Sequence, residues 1–324
     1  MKTRTFKLLF VALALIPTLG FAQGFKPTRP VEIVVHGGPG TGNDLLARVI
    51  PTITEKEQLL PVRMIVVNKT GGAGATAMAY LAERKGDAHV IALYTAAWLT
   101  VPMMSREVRT QFQDLTPIAN LMLEPAVIVV KADAPYKTLA DFIEAAKNNP
   151  GKLLQVGSSI ESRANLLRLV LQRQSGTRWT HVPYPGGGER IAAILGGHAH
   201  MYIGDPPEVI EHVNSGGLRA IVQIAEKRLP AFPNVPTIQE AGFNVPNIRA
   251  VRGVIAPPGL PKDVVEYWEN LFARIVKSEA WRRYVVDNHL EELYLKSSEI
   301  GKLADEIVAQ RRQLYAEFGI KTAR

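Results

Sequence analysis

The chain contains no cysteine. A disulfide framework, a thiolate nucleophile and a sulfur-based metal site are therefore excluded, and so is a lipid anchor on a cysteine following the leader. A protein without such staples is held by its core, and 324 residues are enough for two domains. Beyond residue 22 no apolar run is long enough to cross a bilayer. The net charge is +8, yet no block of basic residues with interleaved aromatics is present, so nucleic acid is not an expected partner. His181, His198 and His200 are not spaced as ligands on one element, and no metal or cofactor is expected. The serine segment Val156-Gly157-Ser158-Ser159-Ile160 is not a G-x-S-x-G elbow. The glycines at 38–42 lack the Lys-Ser/Thr pair of a phosphate loop and the spacing of a dinucleotide fingerprint. The chain is thus not expected to be an enzyme.

What is present begins at the first residue. Lys2, Arg4 and Lys7 precede an unbroken apolar run at 8–16, which Pro17 ends. Gly20-Phe21-Ala22 then offers small residues at a cleavage site before Gln23. This is the pattern of a secretory signal peptide over 1–22, cleaved after Ala22, and it places the mature protein in the periplasm. The three cations of this leader are part of the +8.

Two glycine-rich turns dominate the mature chain: Gly37-Gly38-Pro39-Gly40-Thr41-Gly42 and Gly71-Gly72-Ala73-Gly74. Each follows an apolar run (31–35 and 62–67) and opens into a helix-like stretch. Glycine lets backbone N–H groups approach a ligand closely, and a helix start behind the turn favours an anion. Two such mouths suit a carboxylate or phosphate. Further strand-like runs lie at 89–93, 126–130, 153–156, 199–203, 218–224 and 251–256. Helix-like segments are 44–56, 75–84, 139–148, 163–174, 189–195 and 208–214, with longer ones at 262–277, 279–288 and 298–318. This alternation predicts parallel sheets of α/β type. Proline-rich stretches at 117–125 and 230–236 read as the two strands of a hinge. The expected division is a discontinuous first domain, 23–123 and 234–324, with a second domain, 124–233, inserted.

Gly38-Pro39-Gly40-Thr41-Gly42-Asn43-Asp44 with Ala47-Arg48 resembles the P-G-G-G-x-D-x-x-A-R signature of Bug-type (TctC-like) extracytoplasmic solute receptors of the tripartite tricarboxylate transporters. Val66-Val67-Asn68-Lys69-Thr70-Gly71-Gly72-Ala73-Gly74 resembles that family's second turn. His181-Val182-Pro183-Tyr184-Pro185-Gly186-Gly187-Gly188-Glu189, Leu195-Gly196-Gly197-His198 and Ala256-Pro257-Pro258-Gly259 match in order further on. The resemblance implies a two-lobed periplasmic-binding-protein fold (type II, Venus flytrap) with the ligand cleft between lobes. It also implies a carboxylate held by backbone N–H groups of the turns. The ligand-binding residues it implies are Gly40, Thr41, Gly42 and Asp44, then Gly72, Ala73 and Gly74. From the second domain come Ser158, Ser159, Ser162, Pro185, Gly186 and Gly187, with Asp205 a further candidate. Thr41 and Ala73 stand where the family has glycine, Thr70 replaces a proline, and Asn165 and His200 replace a histidine and an aspartate.

Each residue also has a structural reading. Asp44 either touches ligand or caps the helix behind the turn. Arg48 is either a carboxylate clamp or one half of an ion pair, and the serines either bind or cap the following helix. Tyr94 and Trp98 either line the cleft or fill the core. The expected function is a monomeric periplasmic receptor that captures a small organic anion (a di- or tricarboxylate, an aromatic acid or an amino acid). It would deliver this to membrane permease subunits of a tripartite tricarboxylate transporter. The alternatives are delivery to a sensor and an exported serine hydrolase. Arg163, Arg190, His200 and Arg252 are unranked partners for a distal carboxylate.

Overall fold

A computed structural model describes residues 24–246, 248 and 250–323. The leader at 1–22 and its cleavage site lie outside the described residues. The chain runs β1 (Val31–Val35), α1 (Gly42–Lys56), β2 (Met64–Asn68), a 3-10 turn (Gly72–Gly74), α2 (Ala75–Ala82), β3 (Val90–Tyr94), α3 (Ala96–Met104) and β4 (Thr116–Glu124). A second series follows: β5 (Ala126–Lys131), α4 (Leu139–Asn148), β6 (Leu154–Gly157), α5 (Arg163–Ser175), β7 (Thr180–Pro183), α6 (Gly187–Leu195), β8 (Met201–Gly204), α7 (Pro206–Asn214) and β9 (Leu218–Ile224). The last stretch is β10 (Ala250–Ala256), α8 (Lys262–Lys277), α9 (Glu279–Asp287), β11 (Glu291–Lys296) and α10 (Ser297–Glu317).

The strands sort into two mixed sheets, ordered β11-β4-β10-β3-β1-β2 and β7-β6-β8-β5-β9, not the parallel sheets expected. The reason is that β10 returns from the other lobe to run antiparallel to its neighbours, and β5 runs antiparallel to both β8 and β9. In the first, β1 pairs in parallel with β2 and β3, while β10 runs antiparallel between β3 and β4. Both faces are covered, which is why β3 is apolar and both β3 and β10 are buried along their length, Arg252 being the one charged residue of β10. Leu46 and Ile50 of α1 pack with Trp268 and Phe272 of α8 on one face. Met78 of α2 and Trp98 of α3 fill the other. On the second sheet, Phe142 and Leu167 cover one face and Ile191, Ile194 and Val209 the other. The result is two α/β lobes.

The stretch 117–125 is not a hinge through most of its length. Residues Thr116–Glu124 form β4, inside the first sheet between β10 and β11. Pro117 is tolerated because it lies second in the strand, beside a register shift opposite Ile255. The chain passes to the second sheet over Pro125 alone. The prolines at 230–236 stay on the second lobe. Gln223 donates to the Phe232 and Val235 carbonyls at 3.0 and 2.6 Å and accepts from Leu229 N–H at 2.7 Å. Ile238, Val245 and Ile248 then complete that lobe's core, and the chain rejoins the first sheet only at Ala250. The final helix α10 joins both lobes: Ile300 packs on the first, Leu314 and Tyr315 on the second.

Candidate functional site

The lobes face each other across a cavity of about 500 Å³. The first lobe contributes His36, Gly37, residues 41–43, residues 70–73 and the start of α3. The second contributes residues 158–164, Pro185, Arg190, Tyr202, Asp205 and Glu208; Ala250, Arg252 and Arg311 complete the wall. Strand ends and helix starts thus converge on one space, as expected where two α/β lobes meet.

The second glycine turn opens into this space. Gly71, Gly72, Ala73 and Gly74 all have positive φ (123°, 53°, 52° and 113°), and Ala73 holds the left-handed region without the freedom of glycine. Gly74 N–H folds back to the Gly71 carbonyl at 3.1 Å. Among the described residues, nothing accepts from the N–H groups of Gly72 and Ala73, and both residues border the cavity. The start of α2 behind them adds its dipole.

The first turn is used differently. Gly38 N–H donates to the Pro185 carbonyl and Gly187 N–H to the Pro39 carbonyl, both at 3.2 Å. A Cβ on Gly187 would sit 2.0 Å from the Gly40 carbonyl oxygen, and one on Gly38 would sit 3.0 Å from Gly186 Cα. The glycines here let two backbones touch across the lobes. Gly40 N–H donates to Asp44 at 3.0 Å, and Gly42 N–H donates to the Glu208 carboxylate of α7 at 2.8 Å. The amino end of α1 is therefore answered by the protein's own carboxylate.

Of the residues expected from sequence, Thr41, Gly42, Gly72, Ala73, Ser158, Ser159, Ser162, Pro185 and Asp205 border the cavity. Gly40, Asp44, Gly74, Gly186 and Gly187 stand behind it. Asp44 takes the structural role: buried, it accepts from Gly40 N–H, from Asn68 at 2.9 Å and from Arg48 at 2.9 and 3.0 Å. Arg48 is thereby explained as its ion-pair partner. Thr41 Oγ1 donates to the Gly38 carbonyl at 2.9 Å and caps α1, and Ser162 caps α5. Tyr94 is core, and its hydroxyl meets Asn120 at 3.1 Å. His200 accepts from Leu154 N–H at 3.0 Å, a structural use.

Beneath the cavity lies a buried charge cluster. Asp205 pairs with both Arg163 and Arg252, and Glu124, the last residue of β4, lies against Arg252. Burial opposes the Asp205 charge, but the two arginines outweigh it and hold its pKa below the ordinary value. Burial lifts Glu124 well above the carboxylate range despite Arg252, with the Asp205 charge adding to the rise. Glu124 therefore keeps its proton beside the ionised Asp205. Arg163 also donates to the carbonyls of Glu124 and Pro125 at 2.7 and 3.3 Å, pinning the crossover. Arg190 is held by the Tyr184 carbonyl at 3.0 Å, with Glu208 at 3.6 Å.

Three parts of the wall were not read from sequence. His36 accepts at Nδ1 from the Trp98 indole N–H at 2.9 Å, which leaves Nε2 to carry the proton of a neutral ring. Burial, then the charges of Arg252 and Arg190, lower its pKa to about 3. The start of α3 was missed because Pro102 lies inside that helix. Arg311 was missed because the stretch 298–318 was read only as a long helical pattern. Its signal was position: it falls on the same stripe as Ile300, Ile307 and Leu314.

A sequence model of a family described as tripartite tricarboxylate transporter family receptor matches residues 47–320. The chain is 28% identical over 313 residues to the UPF0065 protein in the gbd 5′ region of Cupriavidus necator, covering 97% of this chain and 94% of that one. The periplasmic binding protein BugD superimposes with a TM-score of 0.86 at 22% identity, over 91% of this chain and 99% of that chain. Rpa4515 of R. palustris with adipate gives 0.85 at 23%, over 90% and 98%. The fold is thus that of the two-lobed periplasmic binding proteins, with the cavity where the lobes meet. The match runs through both lobes and into α10, and on it the chain belongs to the receptor family of the tripartite tricarboxylate transporters.

Proposed function

We propose that this protein is an exported receptor that takes a small carboxylated organic anion into the interlobe cavity and presents it to permease subunits in the membrane. One observation carries the reading. The amides of Gly72 and Ala73 are unclaimed by any described residue, at a helix start, inside a cavity whose walls hold four arginines. A carboxylate supplies the acceptors those donors lack. Thr41, Gly42, Ser158, Ser159, Ser162, Pro185 and Asp205 would surround the rest of the ligand. The leader pattern at 1–22 supports a periplasmic location, and the adipate in the Rpa4515 structure supports a carboxylate as cargo. We place the lobe boundaries at Pro125 and just before Ala250, where the chain changes sheets.

Contacts from both lobes give the ligand more to bind in the closed arrangement than in an open one, so binding shifts the population toward closure. The test is calorimetric titration of dicarboxylates, tricarboxylates, aromatic acids and amino acids, with mass spectrometry of small molecules released on denaturation. Saturable one-to-one binding of a carboxylate supports the proposal. Absence of binding across the panel, with no anion released, overturns it.

A further inference from the structure

Three of the four arginines in the cavity wall have partners within the protein. Arg163 and Arg252 share Asp205, and Arg190 faces Glu208. Arg311 has none among the described residues: it is 3% exposed, and within that set its Nη1 has no hydrogen-bond partner and no carboxylate forms an ion pair with it. Glu161, an acidic side chain that also borders the cavity, forms no ion pair with it either. A guanidinium stays charged at neutral pH, and a buried charge without a partner is destabilising. Burial, with the Arg163 charge adding to it, pulls its pKa down only to about 10, so the charge remains.

We infer that Arg311 is a specificity residue that holds a second, distal anionic group of the ligand. The inference rests on the carboxylate-receptor reading above. The placement supports it. Helix α3 packs against both the Gly72–Gly74 turn and α10, and its first turn borders the cavity. The free amides and the free guanidinium therefore flank one stretch of wall, and a dianion lying along it satisfies both. Because α10 spans the two lobes, the same contact places the ligand's far end on the helix that ties them.

The test compares adipate with hexanoate and succinate with butyrate, pairs matched in length that differ in the distal carboxylate. Calorimetry is run on the full mature chain, on Arg311→Gln and on Arg311→Lys. The wild type is expected to prefer a dianion by about tenfold or more; Arg311→Gln brings that ratio close to one, and Arg311→Lys restores part of it. An unchanged ratio in Arg311→Gln, or no preference in the wild type, overturns the assignment while leaving the receptor reading in place. Failure of the wild type to bind any carboxylate overturns both. Unliganded Arg311→Gln and Arg311→Met are expected to melt no lower than wild type, since an unpaired buried charge has been removed. A fall of several degrees in both would make Arg311 a structural residue and overturn the inference.

Discussion

His36 shows how one side chain ties the site to stability. Its ordinary pKa of 6.5 falls to about 3 in the folded protein. Between those values the unfolded chain binds a proton that the folded chain does not, so stability present above pH 6.5 is lost as pH falls. The slope for one such group is about 1.4 kcal/mol per pH unit. Urea unfolding at pH 7.5, 6 and 5 should show His36→Gln losing less stability than wild type over that range; equal losses would contradict the assignment. In the charge cluster, Glu124 keeps its proton and Asp205 does not. Glu124→Gln should therefore stay within about 1 kcal/mol of wild type, whereas Asp205→Ala leaves two buried arginines uncompensated and should cost about 3–5 kcal/mol. Chemical denaturation distinguishes them. These roles were only partly legible in sequence. Gly72 and Ala73 could be read because glycine turns after apolar runs have few uses. Whether Asp44 caps or binds depends on Asn68 and Arg48 converging on it, which spacing alone does not show.

At the scale of elements, apolar runs with clear punctuation were legible. Leu139–Asn148 has the Thr138 capping box, and Leu218–Ile224 is bounded by glycine on one side. β4 was not, since Pro117 near its start, Pro125 just past its end and its polar residues disguise a strand whose place depends on pairing with β10 and β11. α3 was hidden by Pro102, which a helix buried along Trp98, Leu99 and Val101 absorbs. The contact between the first turn and Pro185–Gly187 was equally invisible, because it joins segments about 150 residues apart. That contact carries its own prediction. Gly187→Ala puts a Cβ 2.0 Å from the Gly40 carbonyl, so the lobes cannot meet as they do here. Ligand affinity should fall by about tenfold or more while unliganded melting stays near wild type. Small-angle scattering with ligand should find the variant less compact than wild type; wild-type affinity and scattering would contradict this role.

Across the whole molecule, two lobes joined at Pro125 and before Ala250, and strapped by α10, enclose one cavity with unclaimed donors. No helix among the described residues is long and apolar enough to cross a membrane. Amide-resolved NMR titration of the mature chain with a dicarboxylate panel tests the central claim most directly. A bound carboxylate should shift the Gly72 and Ala73 N–H resonances downfield, saturably and with one-to-one stoichiometry. The amides of Gly38, Gly40 and Gly187, already bonded within the protein, should move less. Saturable binding that leaves Gly72 and Ala73 unmoved would contradict the account.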